Sequence, residues 1–194
     1  MILSPNRDRS ASWRAGALFA LVGLMWLTFA IDLLTPGHIL GGIIPRSSAG
    51  LTGIITAPFV HGNLNHLLAN TIPLVVLGAL ILLKGANEFL VVLQLVTLIS
   101  GAGTWLFGRS GIHIGASGIV FGLFGFLLFR TVYDRTLVSA AITILVAALY
   151  GSVLGMSLLP EEGISWSGHM SGFAGGILAA RFLYVRRRVG FRLV

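Results

Sequence analysis

Residues 66–107 read HLLANTIPLVVLGALILLKGANEFLVVLQLVTLISGAGTWLF. Two apolar runs, His66–Leu83 and Ala86–Phe107, are parted only by Lys84 and Gly85. A helix rises 1.5 Å per residue, so about 20 apolar residues span a hydrocarbon core about 30 Å thick. Each run has roughly that length, and the stretch is read as two bilayer-crossing helices. Outward from it lie more runs of the same kind: Ala15–Leu34 before it, then Ala116–Phe129, Leu137–Leu159 and Trp166–Val185 after it. The expected fold is all-α, a polytopic membrane protein built as a six-transmembrane-helix bundle. The first run is not expected to be a cleaved signal peptide, because it is long and more apolar sequence follows it.

Composition points the same way. Only 10% of the 194 residues are charged and 56% are hydrophobic, whereas a soluble domain carries roughly 25% charged residues. There is no cysteine, which removes disulfides and thiolate metal sites; no metal or cofactor is expected. The 26 glycines suit a membrane bundle, since small residues let helix backbones approach closely. The net charge of +7 sits mostly at the ends of apolar runs. That is a membrane-orientation pattern, so no nucleic-acid partner is expected.

With the N-terminus inside, eleven basic residues face the cytoplasm: Arg7, Arg9, Arg14, Lys84, Arg130, Arg135, Arg181, Arg186, Arg187, Arg188 and Arg192. Only Arg46 and Arg109 fall in outer loops. The positive-inside rule then places both termini in the cytoplasm of a multi-pass cell-membrane protein. The expected organisation is a cytoplasmic tail over 1–14, a membrane domain over 15–185 and a basic cytoplasmic tail over 186–194. The first outer loop, Thr35–Asn65, is apolar yet broken by Pro36, Pro45, Pro58 and several glycines. It is expected to be membrane-associated, lying in the interface rather than crossing.

Three polar residues within the runs stand out: Asn70, Ser117 and His169. Polar groups at membrane depth are costly and are functional candidates by default. Counted from the basic residue that ends each helix, Ser117 stands about 20 Å above Arg130 and Asn70 about 21 Å above Lys84. His169 stands about 18 to 26 Å above Arg181 or Arg186. All three share one layer, several ångströms below the outer surface. Singly, each has a plain explanation: Ser117 packs with Gly118 and Gly122, His169 sits among Gly168, Gly172 and Gly176, and Asn70 bonds between helices. The shared depth favours a site. The fourth run is also short and is led by Gly111–Gly115, which suits a loop that dips to meet a submerged helix and admits water to Ser117.

A serine hydroxyl needs an adjacent base to take its proton. Histidine is the usual base and can return the proton to a leaving amine. His66 and Asn70, spaced i, i+4, share a helix face. They offer side-chain donors for an oxyanion, beside the Ser117 backbone N–H near a helix start. No Asp or Glu lies in the second, fourth or sixth run, so a Ser117–His169 dyad is expected rather than a triad.

In this combination and order, the chain resembles the rhomboid intramembrane serine proteases over essentially its whole length. Gly115-Ala116-Ser117-Gly118 resembles the family's Gly-x-Ser-Gly motif. That implies Ser117 as nucleophile, with Gly115 among the oxyanion and substrate-binding positions. His169-Met170-Ser171-Gly172 followed by Gly176 resembles the sixth-helix motif and implies His169 as base. His61, His66 and Asn70 resemble the second-helix pattern, in which the residues matching His66 and Asn70 assist the oxyanion; His61 is a supporting position. Phe121, a second supporting position, stands where relatives often carry Tyr beside the histidine; the ring is kept and the hydroxyl is lost. The Trp-Arg pair common in the first loop is missing, and Pro45-Arg46 is the nearest basic feature.

The resemblance implies a serine endopeptidase that hydrolyses peptide bonds in or near transmembrane segments, with transmembrane protein substrates and the lipid bilayer as its partners. A substrate helix must unwind locally, since an intact helix keeps its carbonyls hydrogen-bonded. Lateral access by movement of the fifth helix and the Pro160–Ile164 loop is expected. The alternative is a catalytically silent rhomboid-like protein that binds membrane clients; the intact Ser117 and His169 argue against it. A transporter or channel is disfavoured because no span carries a charge near its centre. A metalloprotease is disfavoured because no His-Glu-x-x-His motif is present.

Overall fold

The Lys84-Gly85 break becomes a tight reversal. In the computed structural model Gly85 takes φ +143°, a conformation open to glycine and strained for other residues. The N–H groups of Lys84 and Gly85 turn back onto the carbonyls of Ile81 and Leu82 at 3.0 and 3.1 Å. The structure describes residues 6–35, 40–157 and 165–189. Within them the helices are α1 (Asn6–Leu34), α2 (Gly53–Thr56), α3 (Leu64–Leu82), α4 (Ala86–Phe107), α5 (Ser117–Asp134), α6 (Leu137–Met156) and α7 (Trp166–Arg188). The described residues form no strand, only an isolated bridge between Ile43 and His113.

Helix α1 begins at Asn6, well before its apolar run, and α7 continues through the arginines to Arg188. Among the described residues four helices are long and apolar enough to cross a membrane: Gly16–Leu34 of α1, α3, α4 and α5. The sequence of α7 is diluted by glycines, serines, His169 and the terminal arginines. Residues 158–164, with the Pro160–Ile164 loop expected to move, lie outside the described residues, as does Pro36.

Helix α5 occupies the centre, packed on α3, α4, α6 and most extensively on α7. Glycine makes that last seam possible. A Cβ on Gly172 would strike the Gly118 carbonyl, and one on Gly176 would strike the Gly122 carbonyl. The two backbones therefore approach directly, as small residues permit between membrane helices. Phe19, Leu27 and Leu34 on α1 and Leu137 and Ile144 on α6 stay exposed, which in water would be a liability and in lipid is not.

The first loop is stitched to the bundle by polar contacts. Thr28 Oγ1 donates to the Phe59 carbonyl at 2.5 Å and Trp105 Nε1 to the Ser47 carbonyl at 2.9 Å, while within the loop itself Thr56 Oγ1 donates to the Gly41 carbonyl at 2.6 Å. Arg46 donates to the carbonyls of Leu106 and Gly108 at 3.1 and 2.9 Å, which satisfies the C-terminal end of α4. Irregular backbone survives near a membrane when protein supplies its hydrogen bonds in this way.

At the opposite end of the α5–α7 seam, four charges close on one another. Arg130 lies 2.6 Å from Asp134 through Nε and 2.7 Å from Glu88 through Nη1. The Glu88 contact is an ion pair off the hydrogen-bond axis, and Nη1 and Nη2 make no hydrogen bond among the described residues. Arg187 pairs with Glu88 and lies 3.4 Å from Asp134. Ser139, from the start of α6, donates to Asp134 at 3.1 Å.

Candidate active site

Ser117 is the first residue of α5. The N–H groups of Ile119 and Val120 turn to the Ala116 carbonyl at 2.9 and 3.1 Å. The N–H of Ser117, in the first turn, has no intrahelical acceptor. The approach to Ser117 is pinned by Gly115, whose N–H donates to the Ala57 carbonyl at 2.9 Å and whose φ is +104°. A Cβ at Gly115 would come within 2.5 Å of His66 Nε2. Glycine is thus required twice there, for backbone conformation and for space.

His169 sits in the first turn of α7, 6% exposed. Its Nε2 is 2.9 Å from Ser117 Oγ and its Nδ1 is 2.9 Å from the Ser157 carbonyl. A carbonyl only accepts, so in the neutral ring Nδ1 carries the proton and Nε2 is free to accept from the Ser117 hydroxyl. Phe121 stacks on the imidazole with centroids 4.1 Å apart and planes 18° apart. Its partners thus hold the ring on three sides.

On α3, Asn63 accepts the His66 N–H at 2.8 Å and so caps the helix. Asn70, buried, donates from Nδ2 to the His66 carbonyl at 2.8 Å. One amide N–H is committed to its own helix, leaving the other for a ligand. His66, Asn70, Ser117, Phe121, Ser157 and His169 line one cleft of about 740 Å³. His61 lies behind it, buried, its ring edge-on to His66 at 5.0 Å. Neither of its ring nitrogens has a hydrogen-bond partner among the described residues.

The residues singled out in the sequence therefore occupy one region, with Ser117 and His169 in direct contact and His66, Asn70 and Gly115 around the mouth of α5. The Ser157 carbonyl is the addition. It takes the place a third side chain would fill, and a backbone carbonyl leaves no signature in residue type. Among the described residues no cluster of His, Cys, Asp and Glu is arranged to hold a metal ion.

The family model described as the rhomboid domain matches residues 48–186, from the first loop to the end of α7. An uncharacterized protein of Mycobacterium tuberculosis is 38% identical over 91% of this chain and 78% of its own length. The putative rhomboid protease YdcA of Bacillus subtilis is 27% identical over 88% of each chain. RHOMBOID-like protein 4 of Arabidopsis thaliana is 34% identical over 71% of this chain and 35% of its own. With several apolar helices around a polar cleft and a family match over most of its length, this multi-pass membrane protein belongs to the rhomboid family.

Proposed function

We propose that the chain is an intramembrane serine endopeptidase acting on transmembrane protein substrates through Ser117 and His169. One observation carries this reading: Nε2 of His169 lies 2.9 Å from Ser117 Oγ while the Ser157 carbonyl holds the proton on Nδ1. The base thus has its lone pair directed at the nucleophile before any substrate arrives.

In the proposed reaction Ser117 Oγ attacks the scissile carbonyl carbon as Nε2 takes the hydroxyl proton. The oxyanion is received by the Ser117 N–H and by His66 and Asn70, at the mouth shaped by Gly115. Collapse breaks the C–N bond, and His169 passes its proton to the leaving amine. Water then attacks the acyl-Ser117 ester, with His169 again as base. His61 and Phe121 support this layer from behind and from the face of the imidazole. Six spans over 15–185, both termini in the cytoplasm and a first loop lying in the interface belong to the same proposal; the excess of basic residues at one end supports the orientation.

The test uses purified wild type and Ser117→Ala in detergent, each offered a fluorophosphonate and a transmembrane substrate. Wild type is expected to be labelled and to cleave, and the alanine variant to do neither. Labelling or cleavage that persists in Ser117→Ala would falsify the assignment. Substrate binding without cleavage by wild type would turn the reading to a client-binding protein.

A further inference from the structure

Four residues ahead of Ser117 stands His113, and four ahead of His169 stands Ser165. His113 Nδ1 lies 2.8 Å from Ser165 Oγ. The same two chain segments are therefore joined twice, by Ser117–His169 and, one step before, by a second Ser–His pair with the roles exchanged between segments. His113 and Ser165 line the same cleft as Ser117 and His169.

The second pair has its own polarity. His113 Nε2 lies 2.9 Å from the Arg109 carbonyl. That oxygen only accepts, so in the neutral ring Nε2 carries the proton, Nδ1 accepts, and the Ser165 hydroxyl donates. Ser165 is the N-cap residue of α7, where a serine side chain ordinarily accepts an N–H of its own helix. Here it makes no such bond. Its carbonyl accepts the His169 N–H at 3.0 Å, the ordinary first bond of the helix, and its hydroxyl bonds His113. On the other side, the His113 backbone exchanges two hydrogen bonds with Ile43, at 2.8 and 2.9 Å. Between His113 and Ser117 the chain is pinned again where Gly115 donates to Ala57.

We propose that His113 is a positioning residue, whose bond to Ser165 sets the first turn of α7 against the loop that delivers Ser117. This rests on the protease reading above. A single hydrogen bond between Ser117 and His169 fixes a distance. A second bond four residues earlier on both segments fixes their relative rotation as well, and with it the line of attack on Nε2. Ser165 is the other half of the device. Neither residue is required to touch the substrate.

The test compares wild type with His113→Ala, Ser165→Ala, the double variant and His113→Asn, all as purified full chains. The measurements are kcat and KM on a transmembrane substrate, and the rate and final stoichiometry of fluorophosphonate labelling. Each alanine variant is expected to lose about 10- to 100-fold in kcat and in labelling rate. KM and final stoichiometry should stay near wild type. The double variant should be no slower than the slower single, because one bond is lost in all three. Asn places an acceptor oxygen where Nδ1 stood, so His113→Asn should recover most of the rate. Wild-type rates in both single alanine variants would overturn the proposal. So would a loss confined to stoichiometry, losses that multiply in the double variant, failure of His113→Asn to recover rate, or label found on Ser165. If wild type itself takes no label on Ser117, the protease reading falls along with it; a labelled wild type beside unaffected variants removes only the role of His113.

Discussion

The two ends of the α5–α7 seam are built on opposite principles. At one end Ser117 and His169 are held by a backbone carbonyl and an aromatic face, and open to a cleft of about 740 Å³. At the other, Glu88, Arg130, Asp134 and Arg187 neutralise one another, with Glu88 and Arg130 only 7% and 3% exposed and the Phe126 ring 5.6 Å below the Arg130 guanidinium. Buried charge is tolerated when its partner is fixed. In the proposed reaction His169 takes up and releases a proton, and it is held by a carbonyl that does not itself titrate. The Ser157 carbonyl sets the tautomer of His169 without adding a charge to the low-dielectric side of the site. A carboxylate there would need a counter-charge of its own. Between the two ends, the backbones of α5 and α7 meet directly at Gly118–Gly172 and Gly122–Gly176.

If the ends are separable, variants at one should lose rate and variants at the other stability. The largest effect is expected from His169→Ala: a fall of about 10,000-fold in kcat, equivalent to about 5.5 kcal/mol of barrier, with a smaller loss of thermal stability than of rate, since truncating a buried ring also leaves a void. Glu88→Ala is expected to do the reverse. It leaves the buried Arg130 guanidinium with Asp134 as its one carboxylate and should destabilise the fold by at most about 3 to 5 kcal/mol, while kcat measured well below the melting temperature stays within about twofold of wild type. Removing Arg130 as well should recover part of the stability, because Asp134 and Arg187 remain opposed. A Glu88→Ala protein that melts normally and cleaves slowly would break the comparison at once.

Acid should act on the site end through His61. Burial first, and repulsion from His66 second, depress its pKa from 6.5 to about 4; the Phe59 backbone opposes this without a well-formed hydrogen bond. The folded value lies below the unfolded one, so the unfolded chain takes up the proton first. Stability is intact above pH 6.5 and is lost as pH falls from there towards 4. By pH 5 the loss is at most about 2 kcal/mol. His61→Phe should flatten this part of the profile, measured as the difference in melting temperature between pH 7.5 and pH 5. Equal differences in both proteins would show that the acid sensitivity lies elsewhere, the carboxylates of the charged end being the next suspects.

What the sequence disclosed follows from these contrasts. Helices α3 and α4 were legible almost to the residue, because bilayer thickness dictates their length and Lys84-Gly85 separates them. Counting helical rise assigns Asn70, Ser117 and His169 one depth, and all three line one cleft. The charged end was not legible. Arg130 and Arg187 read as interfacial charges, and nothing in one sequence joins residue 88 to residue 187. Ser157 was invisible for another reason: its contribution is a carbonyl that every residue carries. The apolar run of α1 was legible to within a residue, Ala15–Leu34 against Gly16–Leu34; its polar extension back to Asn6 carries no apolar signal.

The smallest effect tests how the imidazole is held. Ser117 Oγ and the Ser157 carbonyl fix two points in the ring plane, leaving a rocking motion about the line between them. Phe121, stacked at 4.1 Å and nearly parallel, opposes that motion. An aromatic pair contributes about 0.5 to 1.5 kcal/mol beyond its buried area, so if all of it is expressed in the transition state, Phe121→Leu should slow kcat by about 2- to 12-fold. Phe121→Tyr keeps the ring and should cleave nearly as wild type does. The void left by leucine also destabilises the fold, so the rates must be compared well below the melting temperature of the variant. A leucine variant as slow as His169→Ala would mean that the two hydrogen bonds cannot orient the base without the stack. A leucine variant at the wild-type rate would mean that they suffice, and that the ring at this position serves packing alone.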